Sequence, residues 1–229
     1  MRPLAILFDI DGTLITTGGA GALAWQRAFE ELHGVPADIN EFSDAGMTDP
    51  EVAFKTFAAV LGREPTPREL TRVLAARLKH LSDTVSESEG YRVLDGVEDL
   101  LPRLADAGYL LGLTTGGTDS AAHIKLGRAN LSRWFPVGGY GSDSTDRTEL
   151  TRIAIRRCGR MLGMDLDPHR VLVIGDTPLD IDAAQGAHAI GVGVASGHFT
   201  EEELERAGAD HVLPSLRAPL PGVSATSLV

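Results

Sequence analysis

Asp9 and Asp11 stand two residues apart where the apolar run 4–8 gives out, in the order Asp9-Ile10-Asp11-Gly12-Thr13. In extended backbone residues i and i+2 point the same way, so both carboxylates leave the strand end on one side. Neighbouring acids repel, and each ionises readily only when a cation or a proton lies between them. The spacing therefore calls for a metal ion, a shared proton, or both. Gly12 permits a sharp turn, and Thr13 adds a hydroxyl close to the same point. Asp-x-Asp-Gly also opens calcium-binding loops, but such a loop takes its last carboxylate from a Glu at the twelfth position, and position 20 is Ala. A plain turn accounts for Gly12 but not for an acid that closes an apolar run. A reaction centre is the stronger reading.

The rest of the chain supplies the elements that must hold such a centre. Short apolar runs at 110–114, 137–140, 171–174, 190–194 and 211–213 read as strands, and stretches of helical period at 97–107, 120–129, 148–162, 180–185 and 201–207 read as helices between them. This alternation predicts an open, mainly parallel α/β sheet wound on both faces. Between 18 and 90 no strand pattern occurs; residues 22–32, 50–61 and 67–81 read as helices, so an all-helical insert leaves the sheet after the first strand and returns before Val97. Gly18, Gly19 and Gly21 and the polar residues at 86–90 bracket it as flexible joints, and the tail 214–229 reads as irregular. In open parallel sheets ligands bind beyond the carboxyl ends of the strands, where the strand order reverses. Asp9 and Asp11, then Thr114, Thr115, Gly116 and Gly117, then Gly175, Asp176 and Asp180 all fall at such ends.

Composition narrows the function classes. A chain of 229 residues with 43% apolar and 23% charged residues has the make-up of a globular domain with a full core. The net charge of −11 argues against a nucleic-acid or anionic-membrane surface. Cys158 is the single cysteine, which excludes an internal disulfide and a zinc-thiolate cluster and suits a cytoplasmic protein. No apolar run is long enough for a membrane helix, and the five apolar residues before Asp9 do not make a secretory signal. The seven histidines show no metal-ligand spacing.

With these elements in order, the chain resembles the haloacid dehalogenase superfamily. Asp9-x-Asp11-Gly12-Thr13 matches the first of its four short motifs, Thr115 after an apolar strand the second, and Gly175-Asp176-x-x-x-Asp180 the fourth. The third motif departs from the pattern: the family usually carries Lys, less often Arg, at the start of the helix before the fourth, and the nearest cation is Arg147. A cation at a helix start opposes the helix dipole, a misfit that suggests a task. Thr115 is preferred to Thr114 because Thr115-Gly116-Gly117 resembles the family's Thr-Gly-Asn form.

The resemblance implies a Rossmann-like core, 1–15 and 90–229, with a helical cap, 16–89, inserted in it. It further implies that Asp9 is the nucleophile, that Asp11 is the general acid and base, and that Mg²⁺ lies between Asp9, the Asp11 backbone carbonyl and Asp176, with Asp180 as support. Thr115, Gly116 and Arg147 are then the phosphate-binding residues. Members that attack carbon lack the second acid, so Asp11 points to a phosphatase of the phosphoglycolate phosphatase type acting on a small soluble phosphomonoester. A phosphomutase acting on a sugar phosphate keeps the same acid and is the alternative enzyme; a non-catalytic binding module on the same fold is the alternative outside catalysis. Residues 46–49 have two readings, a cap loop facing the site or simply the start of a helix at Pro50. Trp25 and Phe29, one helical turn apart, are expected in the cap core rather than at the substrate.

Overall fold

The computed structural model describes residues 2–41 and 44–223, so the expected irregular tail falls outside the described residues from 224 onward. The first strand, β1 (Ala5–Phe8), is buried at every position, as a strand covered on both faces must be. A two-residue strand β2 (Ile15–Thr16) follows, then three helices, α1 (Ala20–His33), α2 (Asp49–Leu61) and α3 (Pro67–Glu87), and a second short strand β3 (Arg92–Val93). The remaining elements alternate: α4 (Val97–Asp106), β4 (Leu110–Thr115), α5 (Asp119–Gly127), β5 (Gly138–Tyr140), α6 (Arg147–Leu162), β6 (Val171–Gly175), α7 (Pro178–Gly186), β7 (Ile190–Val194), α8 (Glu201–Arg206) and β8 (His211–Leu213).

Six strands form one sheet in the order β5-β4-β1-β6-β7-β8, with every neighbouring pair parallel. Alternate residues of β1 serve opposite cores. Ile6 and Phe8 pack with Leu101, Leu104 and Leu126 of α4 and α5, whereas Ala5 and Leu7 pack with Ala154, Cys158 and Ala184 of α6 and α7. This is the doubly wound α/β, Rossmann-like arrangement. The chain builds outward from β1 through β4 to β5, then returns to the other side of β1 with β6, so the carboxyl ends of β4, β1 and β6 lie side by side at the reversal. Leu216 and Leu220, beyond β8, are buried against the first of these cores, so that part of the irregular tail is packed.

The helices α1 to α3 close on a core of their own, made by Trp25, Phe29, Phe57 and Val73. Thr48-x-x-Glu51 and Thr66-x-x-Glu69 start α2 and α3 as reciprocal caps, each with Pro in the first turn. The polar segment at 86–90 differs from expectation. Helix α3 runs through Ser86 and Glu87, and Ser88 ends it by donating its hydroxyl to the Thr17 carbonyl at 2.7 Å. Gly18 and Gly90 cross so closely that a Cβ on either would overlap the other's backbone, so these glycines serve close approach rather than looseness. The antiparallel pair β2 and β3 joins the two passages beside this crossing. Among the described residues no helix is long and apolar enough to cross a membrane.

Candidate active site

The carboxyl ends of β1, β4 and β6 open into a cavity of about 410 Å³, lined on the sheet side by Asp9, Asp11, Thr115, Gly116, Arg147 and Asp176. Six of the seven expected site residues thus line one cavity, and Asp180 stands directly behind them, bonded to Arg147. Asp9 continues the ladder past β1, with its amide donating to the Ile174 carbonyl at 2.8 Å, and its side chain is buried. At Gly12 the backbone takes a φ of +85°, and a Cβ would overlap the Asp176 carboxylate, so the turn that carries Asp11 requires glycine twice over. The Thr13 hydroxyl donates to Asp176 Oδ1 at 3.1 Å and ties the first strand end to the third.

Thr115 ends β4 and faces the cavity, while Thr114, on the opposite side of the strand, shares a hydrogen bond with Thr151 of α6 at 2.9 Å. Arg147 is the first residue of α6, whose N-cap Asp146 accepts from the Thr148 and Glu149 amides. That carboxylate offsets the cost of placing a cation at the positive end of a helix. The Arg147 guanidinium binds Asp180 Oδ1 and lies 3.7 Å from Asp9 Oδ1, and its Nε and Nη1 are buried without a hydrogen-bond partner. Asp180 is fixed from its other oxygen, which accepts from the Thr177 amide at 3.1 Å and the Thr177 hydroxyl at 2.7 Å in the capping box of α7.

Oxygens of Asp9, Asp176 and Asp180 come within 4.8 Å of one another, and all three residues are buried. Burial first, and the Asp180 charge second, push the Asp9 pKa well above the usual carboxylate value. The same two causes push Asp176 up to about 8. Arg147 is the single buried cation against these three acids among the described residues. With one buried cation against three buried acids, the cluster is a receptor for a divalent cation bound through oxygen, which would take the place of the protons that burial otherwise retains there. The Asp11 carboxylate is not a member of this cluster; it pairs with Lys125 instead.

Several residues at the site carried no signal that a linear reading picks out. Lys125 is an ordinary position of an amphipathic helix in sequence, yet it reaches Asp11 from α5. Ser196, Gly197 and His198 also line the cavity; the Ser196 hydroxyl donates to the Gly12 carbonyl at 2.7 Å, and a Cβ on Gly197 would overlap Asp176. Their place just beyond β7, another strand end, was the available clue. From the helical side come Gly46, Met47, Asp49, Trp25 and Arg77. Residues 46–49 do both things foreseen for them: Thr48 caps α2, and the loop lies on the cavity. The Asp49 amide donates to the Gly116 carbonyl at 2.8 Å, and its Oδ2 accepts from the Thr118 amide at 2.8 Å and from Arg77 Nη1 at 2.7 Å. Trp25 departs from expectation by lining the cavity as well as the helical core, beneath the Arg77 guanidinium at 5.2 Å.

Residues 3–188 match the family model described as haloacid dehalogenase-like hydrolase. The chain is 30% identical over 213 residues to a phosphoglycolate phosphatase of Mesorhizobium japonicum, covering 88% of each protein. It is 27% identical to the N-acetylmuramic acid 6-phosphate phosphatase of Pseudomonas aeruginosa, over 89% of this chain and 86% of that one. The crystal structure of a hydrolase from Pseudomonas syringae shares the fold with a TM-score of 0.71 at 24% identity, over 93% of this chain and 94% of that one. With its sheet order, its strand-end acids and a match across most of its length, the chain belongs to the haloacid dehalogenase-like hydrolase family.

Proposed function

We propose that this hydrolase releases phosphate from a small soluble phosphomonoester, with Mg²⁺ as its cofactor and Asp9 as the nucleophile. The chain is a phosphoric monoester hydrolase, and what carries the finer reading is a double complementarity in one cavity. Arg147 holds two buried nitrogens, Nε and Nη1, whose N–H groups have no acceptor, and three buried carboxyl groups gather opposite it. A phosphoryl group supplies oxygens to the first, and a divalent cation supplies charge to the second. The relatives named above act on phosphoglycolate and on N-acetylmuramic acid 6-phosphate, and compact esters of this kind suit a cavity of about 410 Å³.

The donor set fits Mg²⁺. Asp9, Asp176 and the Asp11 backbone carbonyl offer hard oxygens, with Asp180 in support, and Mg²⁺ is commonly held by one or two carboxylates together with substrate phosphate. When bound, the ion offsets the repulsion between the Asp9 carboxylate and an anionic ester. Asp9 attacks phosphorus in line; the Asp9 oxygen–phosphorus bond forms as the ester oxygen departs, and Asp11 hands that oxygen a proton. Asp11, now a carboxylate, takes a proton from the water that opens the aspartyl-phosphate. The Thr115 hydroxyl, the Gly116 amide and Arg147 hold the phosphoryl oxygens through both steps. Helices α1 to α3, within 16–89, act as a cap that excludes water over the core, 1–15 and 90–229.

The test is turnover of 4-nitrophenyl phosphate with Mg²⁺, followed by a screen of metabolite phosphates. The Asp9→Asn variant is expected to lose turnover, and acid quenching is expected to trap covalent phosphate on the wild type but not on this variant. Activity that persists in this variant, or in excess chelator, refutes the mechanism.

A further inference from the structure

Asp11 is the outlying acid of the site. Its carboxylate is 44% exposed, yet its Oδ2 accepts from the amine of Lys125, whose own side chain is only 8% exposed. Exposed ion pairs contribute little because two flexible chains must be ordered in water. Here one partner is already buried and fixed. The Lys125 carbonyl accepts from the Tyr91 hydroxyl at 2.8 Å, and Arg128, one helical turn on, lies 4.7 Å over the Tyr91 ring. Arg128 also donates to the Val85 carbonyl and, at 2.7 Å, to that of Ser88. The last turn of α5 is therefore clamped to the segment that leads from α3 into β3, and Lys125 projects from that clamp. Among the described residues the Asp11 side chain has no other hydrogen bond, so its second oxygen is left to the cavity.

We propose that Lys125 is a positioning residue: by tying Oδ2 it turns the other oxygen of Asp11 toward the ester oxygen that must be protonated. The inference rests on the phosphatase reading above. As the Asp9 oxygen–phosphorus bond forms and the phosphorus–ester oxygen bond breaks, the ester oxygen keeps the bonding pair and takes the proton from Asp11. A neutral alcohol leaves, and the Asp11 carboxylate stays paired with the Lys125 ammonium. A half-exposed carboxylate free to rotate would present that proton in a small share of its conformations.

Aryl phosphates test this directly, because kcat/KM reports the steps up to departure of the phenol, and a phenol of higher pKa depends more on the proton. For Lys125→Met, kcat/KM on phenyl phosphate is expected to fall at least about tenfold further than on 4-nitrophenyl phosphate, a modest share of what general acids contribute. In an Asp11→Asn background the same substitution is expected to add no further difference between the two substrates. Equal losses on both substrates, or a difference that persists without Asp11, overturn the proposal. Should Lys125→Met fail to give a cooperative thermal melt, Lys125→Leu, which likewise has no donor, carries the same comparison. Retained turnover in Asp9→Asn removes the phosphatase reading itself, an outcome separate from either result at residue 125.

Discussion

Chelation leaves Asp176 buried behind Gly12, Thr13 and Gly197, where among the described residues the Thr13 hydroxyl is its one side-chain hydrogen-bond donor, and its pKa stands at about 8 against an ordinary value of 3.8. Between those two values the unfolded chain has released a proton that the folded chain retains. Stability therefore falls as pH rises across this window, by about 1.4 kcal/mol per pH unit, and the loss is complete only above the folded value. From pH 5 to pH 7 the contribution of residue 176 is about 3 kcal/mol, a large share of the stability of a typical domain. Asp176→Asn keeps an oxygen for Thr13 and does not titrate, so it removes this slope. Asp9 is displaced in the same direction and is present in both proteins, so the difference between them reads residue 176 together with its repulsion of Asp9. Urea unfolding in chelator at pH 5, 6 and 7 measures both proteins. Mg²⁺ competes with the retained proton, so the stabilisation it confers on the wild type grows over the same interval. The reasoning fails if chelated wild type and Asp176→Asn lose stability in parallel between pH 5 and pH 7, or if Mg²⁺ stabilises the wild type as much at pH 5 as at pH 7.

Gly12→Ala places a Cβ against the Asp176 carboxylate at a φ of +85°; it is expected to destabilise by about 2 kcal/mol or more and to lower kcat, and activity within twofold of wild type contradicts the geometry. Arg77→Met leaves the buried Asp49 carboxylate with the backbone amide of Thr118 but no cation, a loss of about 3 kcal/mol or more. Adding Asp49→Asn restores much of that stability, and a urea-denaturation cycle in which the two losses simply add rules out a paired role.

The sheet and its strand ends were legible because they depend on local patterns. A fully apolar run such as 4–8 has no face to spare for water, so it belongs in the middle of a parallel sheet, and the acids that terminate it must lie at the sheet's edge. The same logic places Thr115, Asp176 and Asp180 at strand ends, whereas Arg147 is reached through the resemblance, as the cation nearest to the family's third motif, with its unfavourable place at a helix start as support. Residues that reach the site from elements whose local pattern is ordinary were not legible. Lys125 and Arg77 sit on helices whose periodicity says which face is buried but not what that face is buried against. Asp49 belongs to the segment 46–49, for which the sequence leaves open a loop facing the site or a helix start; what the linear pattern does not give is its partners, the Gly116 carbonyl and the Thr118 amide on the loop that follows β4. The glycine brackets fail for a related reason. Gly18 and Gly90 are flexible as isolated residues, but their contact across 72 positions of sequence makes them a crossing where only hydrogen fits. A linear reading therefore recovers the residues announced by a strand end or by a cation at a helix start, and passes over the partners that hold Asp11 and the loop after β4, which are defined by contacts distant in sequence.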